Sequence, residues 1–296
     1  KELIILFLLC FLTAEARFPV YCMILPVCGV LWVFRFWKDF RRVVKETNPD
    51  ALILAEHYGD ASPWLEGDQW DTVMNYDAFM EPLSWFLTGL EKHSDRMDEH
   101  LYQNSQAFMC AMLSNMSRMQ TTSLLAAMNE LSNHDHSRFL TRTNRTVGRL
   151  DYRGDLAASE GINFGIFRAA AIIQMTWPGA PTIYYGDEAG VCGWTDPDNR
   201  RTFPWGKENH ELIEFHCYLT GIRRRNLAFR TGSFKPLLAE KGLIAYGRFH
   251  KRERGVVLVN SDKFAQKAQI PVWEAEVTGP YMERIMLSNT ERYNVG

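Results

Sequence analysis

Three stretches of this chain set ionisable side chains directly behind short apolar runs. Glu56 follows ALILA at 51–55, His134 and Asp135 stand in NELSNHDHSRFLT at 129–141, and Asp187 and Glu188 close APTIYYGDE at 180–188. A wholly apolar run of that length predicts a strand buried on both faces. Where successive parallel strands run out, their trailing side chains gather at one rim, and a barrel enzyme keeps its reactive groups there. Carboxyls converging from separate strands suit the cleavage of a glycosidic bond. One gives its proton to the leaving oxygen, and others stay ionised to stabilise the charge that develops on the sugar. Singly, each acid reads as well as a solvated loop or a helix cap, and an Asn-His-Asp triplet as a turn. Their joint placement carries the inference.

The elements that must position these groups follow from periodicity. Phe36, Trp37, Phe40, Val43 and Val44 recur at helical spacing among Lys38, Arg41, Arg42 and Lys45, which predicts an amphipathic helix ended by Asn48-Pro49. A strand is expected at 51–55, a weaker one in WDTVMNYDAF at 70–79, a third in SLLAAMNELSN at 123–133 and a fourth at 180–188. By propensity alone, Ala126-Ala127-Met128 suits a helix equally well. Helices are expected over about 80–91, 95–120, 161–177 and 208–226, the third stopped by Pro178-Gly179. Strands alternating with helices predict a parallel α/β sheet or barrel. Beyond about 230, GLIAYGRFH, GVVLVNSD and AQIPVW read as short strands of a small antiparallel domain.

Composition excludes several classes of function. The 296 residues are 46% hydrophobic and 13% aromatic, enough for a sizeable core. With 33 basic and 35 acidic residues and a net charge of −2, no stripe for nucleic acid is present. The six cysteines lack metal spacing and indicate no disulfide framework. Cys10, Cys22 and Cys28 crowd into the start, where residues 18–34 run without a charge over close to the length of a membrane span. Three readings of residues 1–35 stand open: a signal peptide with Thr13-Ala14-Glu15-Ala16 imitating a cleavage site, a membrane anchor weakened by Pro19 and Pro26, or an aberrant coding segment whose composition breaks at Phe36.

Three motifs in one order resemble consecutive signature regions of the α-amylase family of glycoside hydrolases, family 13. They are ILAEHYGDASPWL, NELSNHDHSRFLT and WPGAPTIYYGDEAGVCGWTDPDNRRTFPW, and the likeness is greatest to the neopullulanase, cyclomaltodextrinase and maltogenic amylase branch. The resemblance covers 36 to about 290. It implies the carboxy-terminal half of a (β/α)8 TIM barrel, strands 5–8, over 36–228, followed by an incomplete antiparallel β domain over 229–296. By the same likeness Glu56 matches the general acid/base and Asp135 the carboxylate that stabilises the transition state. His134 matches the histidine that binds sugar at the cleavage subsite. Asp196 and Arg200 match an acid and an arginine that hold the neighbouring glucose, whereas Tyr184 to Glu188 line the base of the pocket. The implied substrates are α-1,4- and α-1,6-linked glucans, namely cyclodextrins, pullulan or maltooligosaccharides.

The departure from the pattern lies ahead of Glu56. The family's nucleophile is an aspartate on the fourth strand, and the corresponding ground here, YCMILPVCGVLWV, holds no acid; Glu15 and Asp39 are the nearest. Without an attacking carboxylate a retaining mechanism forms no glycosyl intermediate, so the polypeptide as written is expected to be inactive. No cofactor is required by these residues, and calcium, which some relatives bind through a region this chain does not match, stays an open question. An α-glucan is the expected partner, with no nucleic acid, no membrane and a cytoplasmic location; full-length relatives form homodimers through a domain this chain does not match, and its own oligomeric state stays open. Two other readings stand beside this one. The amylase-like heavy chains of amino-acid transporters are non-catalytic and membrane-anchored. A starch-binding module would present aromatic platforms such as Trp64, Trp70, Trp194 and Trp205.

Overall fold

A computed structural model describes residues 35–277, Arg252 excepted. The apolar start with its three cysteines, the stretch YCMILPVCGVLWV and residues 278–296 lie outside the described residues. The described chain groups into two compact units, one running to Ala55 and including Ser62–Thr72, the other holding Glu56–Ala61 and everything from Val73 onward.

In the first unit, helix α1 covers residues 35–47, as its periodicity predicts. Its Trp37 packs edge-on against Trp70 at 5.5 Å between ring centroids, whereas Phe36, Phe40 and Val43 stay exposed. Arg41 and Lys45 reach Asp71 at 2.6 and 2.9 Å. Asp71 also accepts the backbone N–H of Ile53 at 2.8 Å, so one carboxylate ties the helix to the segment that ends in strand β1, Leu54–Ala55. Asp39 is exposed beside Arg35 and Arg42, each 3.8 Å away.

From Thr72 to Thr182 the strands are shorter than their apolar runs. The expected strand over 70–79 shrinks to β2, Thr72–Val73, because residues Tyr76–Met80 coil into a π-turn that runs on into helix α2, Glu81–Thr88. The run SLLAAMNELSN is divided: Thr121–Ala126 is helix α4, and only Met128–Glu130 forms strand β3. Helical propensity prevails over Leu124 to Ala126, and the chain extends from Ala127. In APTIYYGDE only Ala180–Thr182, strand β4, is extended. Strands β3 and β4 pair in parallel, with Met128 opposite Ala180 and Glu130 opposite Thr182, and Met74 bridges Met128 in parallel on the other side.

Helices α3 (Ser105–Met116), α7 (Phe164–Thr176) and α8 (His210–Arg225) carry the packing, with short α5 (Phe139–Arg142) and α6 (Leu150–Arg153) between them. Each long helix opens on an asparagine whose side chain accepts a backbone N–H three residues on: Asn104 from Ala107, Asn163 from Ile166 and Asn209 from Leu212. Phe79, Leu83, Phe108, Met112, Phe167 and Trp177 form the centre of the core.

The antiparallel texture beyond 230 is present, with one strand exchanged. After α9 (Leu227–Thr231), strands β5 (Ser233–Glu240), β6 (Leu243–His250) and β7 (Glu253–Asn260) form a three-stranded meander. AQIPVW is not a strand, since Val272–Ala275 is a 3-10 turn. Its two-residue spacing is broken by Pro271, which offers no N–H to a ladder. The first strand lies in SFKPLLAE, a run masked in the sequence by Lys235 and Pro236.

Candidate active site

The second unit brings Glu56, His134 and Asp135 together. His134 Nε2 lies 3.2 Å from Glu56 Oε1 and 3.6 Å from Asp135 Oδ1, with all three side chains between 37% and 42% exposed, open enough to meet a solute. Below them Tyr76 and Asn133 are buried. Tyr76, just past β2, donates its phenol O–H to Glu56 Oε1 at 3.1 Å and accepts from Asn133 Nδ2 at 2.9 Å. Tyr58 stacks on Tyr76 at 4.7 Å, and its hydroxyl meets His136 Nε2 at 3.1 Å.

Asn133 shapes the loop that carries the histidine and the aspartate. Its side-chain oxygen accepts the backbone N–H groups of Asp135 at 3.0 Å and His136 at 2.9 Å, an Asx turn that fixes this backbone locally. Asn199 donates from outside to the carbonyls of Asn133 and His136, at 3.0 and 2.8 Å. Behind it Arg138, fully buried, donates to the carbonyls of Asn199 and Tyr185 and to Asp187 Oδ1 at 3.0 Å, with Tyr184 under its guanidinium at 4.0 Å. Asp187 is thus a structural counter-ion.

Two buried titratable groups flank the trio. His136 is held neutral: burial, then Arg142, His93 and Lys92, pull its pKa down to about 2. Glu130, the last residue of β3, is 2% exposed, and neither carboxyl oxygen has a hydrogen-bond partner among the described residues. Burial pushes its carboxyl up to about 8; Asn133 opposes the rise, and Glu56 and Asp187 add to it. Tyr76 is raised by burial and by the charges of Glu130 and Glu56, so the phenol stays a donor.

Asp196 and Arg200 pair with each other at 2.6 Å, both exposed, on a loop whose Asp196 N–H reaches the carbonyl of Asp135 at 3.3 Å. Sequence reasoning missed Tyr58, Tyr76, Asn133, Arg138 and Asn199 as parts of the site. Four of them stand in or beside the quoted motifs, but Tyr76 falls in a segment read as an ordinary strand. Among the described residues, two groups of side chains bring metal-binding atoms within 4.8 Å of one another, Glu56 with His134 and Asp135, and Glu91 with His93 and Asp95. One imidazole and two carboxylates suit a transition ion better than calcium, which takes six to eight oxygens. In the second group the Glu91 oxygens are already engaged by the N–H of His93 at 2.9 Å, its Nδ1 at 3.0 Å and the N–H of Asp95 at 2.6 Å. Among the described residues no helix is long and apolar enough to cross a membrane.

Residues 33–233 match the family described as alpha amylase, catalytic domain. The chain is 38% identical over 242 residues to neopullulanase 2 of Thermoactinomyces vulgaris, covering 80% of this chain and 36% of that protein. It is 34% identical over 233 residues to a cyclomaltodextrinase of a Bacillus species, covering 77% of this chain and 37% of the other. The solved structure of the acarbose-soaked debranching enzyme of Nostoc punctiforme superposes with a TM-score of 0.68 at 28% identity, over 83% of this chain and 49% of that one. The chain therefore spans little more than a third of the two sequence relatives. With a catalytic-domain match over most of its length and glycosidases as its relatives, the chain belongs to the alpha-amylase family of glycoside hydrolases.

Proposed function

We propose that this chain carries one part of the glucan site of a retaining α-glucan hydrolase acting on α-1,4 and α-1,6 bonds in cyclodextrins, pullulan or maltooligosaccharides. The meeting of Glu56, His134 and Asp135 at one rim carries this reading. Glu56 is the proton donor to the leaving oxygen, oriented by the Tyr76 hydroxyl and the His134 imidazole. Asp135 holds sugar hydroxyls and gains strength as the ring acquires positive charge. His134 donates to the sugar in the cleavage subsite, and Asp196 with Arg200 grasps the next glucose. The parallel contacts from Met74 to β3 and from β3 to β4 support a (β/α)8 arrangement in which these strands are consecutive staves.

The segment that would supply the attacking carboxylate, YCMILPVCGVLWV, contains none. Glycosyl-enzyme formation then has no partner atom, and proton donation by Glu56 alone leaves most of the barrier in place. The expected result is binding without turnover: calorimetric titration with β-cyclodextrin gives saturable binding that Asp135→Asn weakens about tenfold or more, while reducing-sugar release stays at the blank. An Asp135→Asn variant that binds as the parent does would overturn the site, and steady hydrolysis would overturn the missing step.

A further inference from the structure

Of the four tryptophans that the sequence offers as sugar platforms, three are engaged elsewhere. Trp194 is fully buried, Trp70 is 6% exposed, and Trp64 stacks on Trp70 at 5.0 Å with planes 14° apart. Trp205 is 81% exposed. Phe203 braces it at 4.5 Å between ring centroids, tilted by 51°. Water gains nothing from so large an apolar ring, and a single free indole could fold down onto the surface. Here Phe203 packs against it, and the loop that carries both is tied down by hydrogen bonds. The carbonyl of Arg201 accepts the Tyr185 hydroxyl at 2.8 Å, and the Arg201 guanidinium is held by Asp198 at 3.0 and 2.8 Å and by the carbonyl of Asp155 at 2.7 Å. A turn follows, closed from the Lys207 N–H to the Pro204 carbonyl at 2.8 Å, and the Trp205 N–H bonds the Phe203 carbonyl at 2.9 Å.

The same loop begins at the trio. Asp196 bonds the backbone of Asp135, and the five steps from Arg200 to Trp205 span at most about 18 Å when extended. A glucan chain seated on Asp135 and Arg200 can therefore run on to the indole. Glucose in an α-linked chain presents a face of C–H groups ringed by hydroxyls, and an aromatic plane with a wet edge is its complement.

We propose that Trp205, braced by Phe203, is a stacking platform for an α-glucosyl residue at the outer end of the glucan tract. This rests on the function proposed above and extends it to longer chains. A platform beyond the rim distinguishes ligands by length. Trp205→Ala is expected to weaken maltoheptaose binding to the full chain about tenfold and to leave maltose unchanged. Trp205→Phe keeps a ring in place and stays within about threefold of the parent. The parent's tryptophan fluorescence shifts on adding maltoheptaose, and the shift is lost in Trp205→Ala. Because the side chain is exposed, neither variant threatens folding, and far-UV circular dichroism checks this. Maltoheptaose affinity equal in parent and Trp205→Ala would overturn the platform and leave the site intact. Failure of the parent to bind either sugar would overturn both.

Discussion

Glu130 closes strand β3 with two carboxyl oxygens that nothing among the described residues satisfies. Burial lifts it from an ordinary 4.5 to about 8, so the fold accommodates the neutral acid and resists the charged one. Its folded value stands above its unfolded value. The favourable contribution is therefore complete below about 4.5 and is lost as pH climbs through about 8. Over that window Glu130→Gln is expected to hold its urea midpoint while the parent loses on the order of 2–4 kcal/mol. A parent whose midpoint is flat from pH 5 to 8 would contradict this. Arg138 poses the opposite case, a buried cation bound to Asp187 and two carbonyls. Arg138→Met strands the carboxylate of Asp187 and is expected to cost about 3–5 kcal/mol in thermal unfolding. Glu56, His134 and Asp135 were legible in the sequence because their types and order are those of a known motif set. Tyr76 and Arg138 were not, since an aromatic in an apolar run and an arginine in a loop announce nothing until burial and partners are seen.

At the scale of elements, the long helices were readable in place but not always in extent, since the one expected over 95–120 is only Ser105–Met116, and the strands were readable only in part. Long helices declare themselves by repeated apolar spacing and by asparagine caps, as at Asn163 and Asn209. Strands of two or three residues offer too few alternations for a period, and their placement is decided by side-chain bonds across the sheet. Asn75 donates to Asn129 Oδ1 at 2.7 Å, Asn129 donates to the Pro178 carbonyl at 3.0 Å, and Gln174 donates to the carbonyls of Asn129 and Thr182, each at 2.9 Å. This seam leaves no room beside Gly179, whose φ is +133° and whose added Cβ would lie 2.4 Å from the Asn129 amide. Gly179→Ala is expected to destabilise by about 2 kcal/mol or more, both from the backbone angle and from the displaced amide. A thermal midpoint within a degree of the parent would show that the seam yields.

Across the second unit as a whole, the antiparallel sheet is sewn to the helical layer rather than laid beside it. Arg248 of β6, fully buried, donates to the carbonyls of Thr176, Gly232 and Ser233. Tyr246 shares a 2.5 Å hydrogen bond with the Thr176 hydroxyl and lies edge-on to Trp177 at 4.9 Å. Arg223 of α8 donates to the carbonyls of Met175, Phe229 and Gly179, at 2.9, 2.6 and 2.6 Å. Urea unfolding followed by circular dichroism and by tryptophan fluorescence is expected to give coincident curves for this unit. Two separated transitions would mean that the sheet melts alone. The sequence marks a change of texture near 230, but texture reports local periodicity, and these long-range bonds from Arg223 and Arg248 leave no trace in it.

Arg248 has a practical corollary. Trypsin acting on the exposed Arg224, Arg225 or Arg230 would sever the peptide link between the two layers yet leave its guanidinium bonds and the Trp177 contacts whole. The nicked protein would travel as two bands on a denaturing gel and emerge from gel filtration as a single peak.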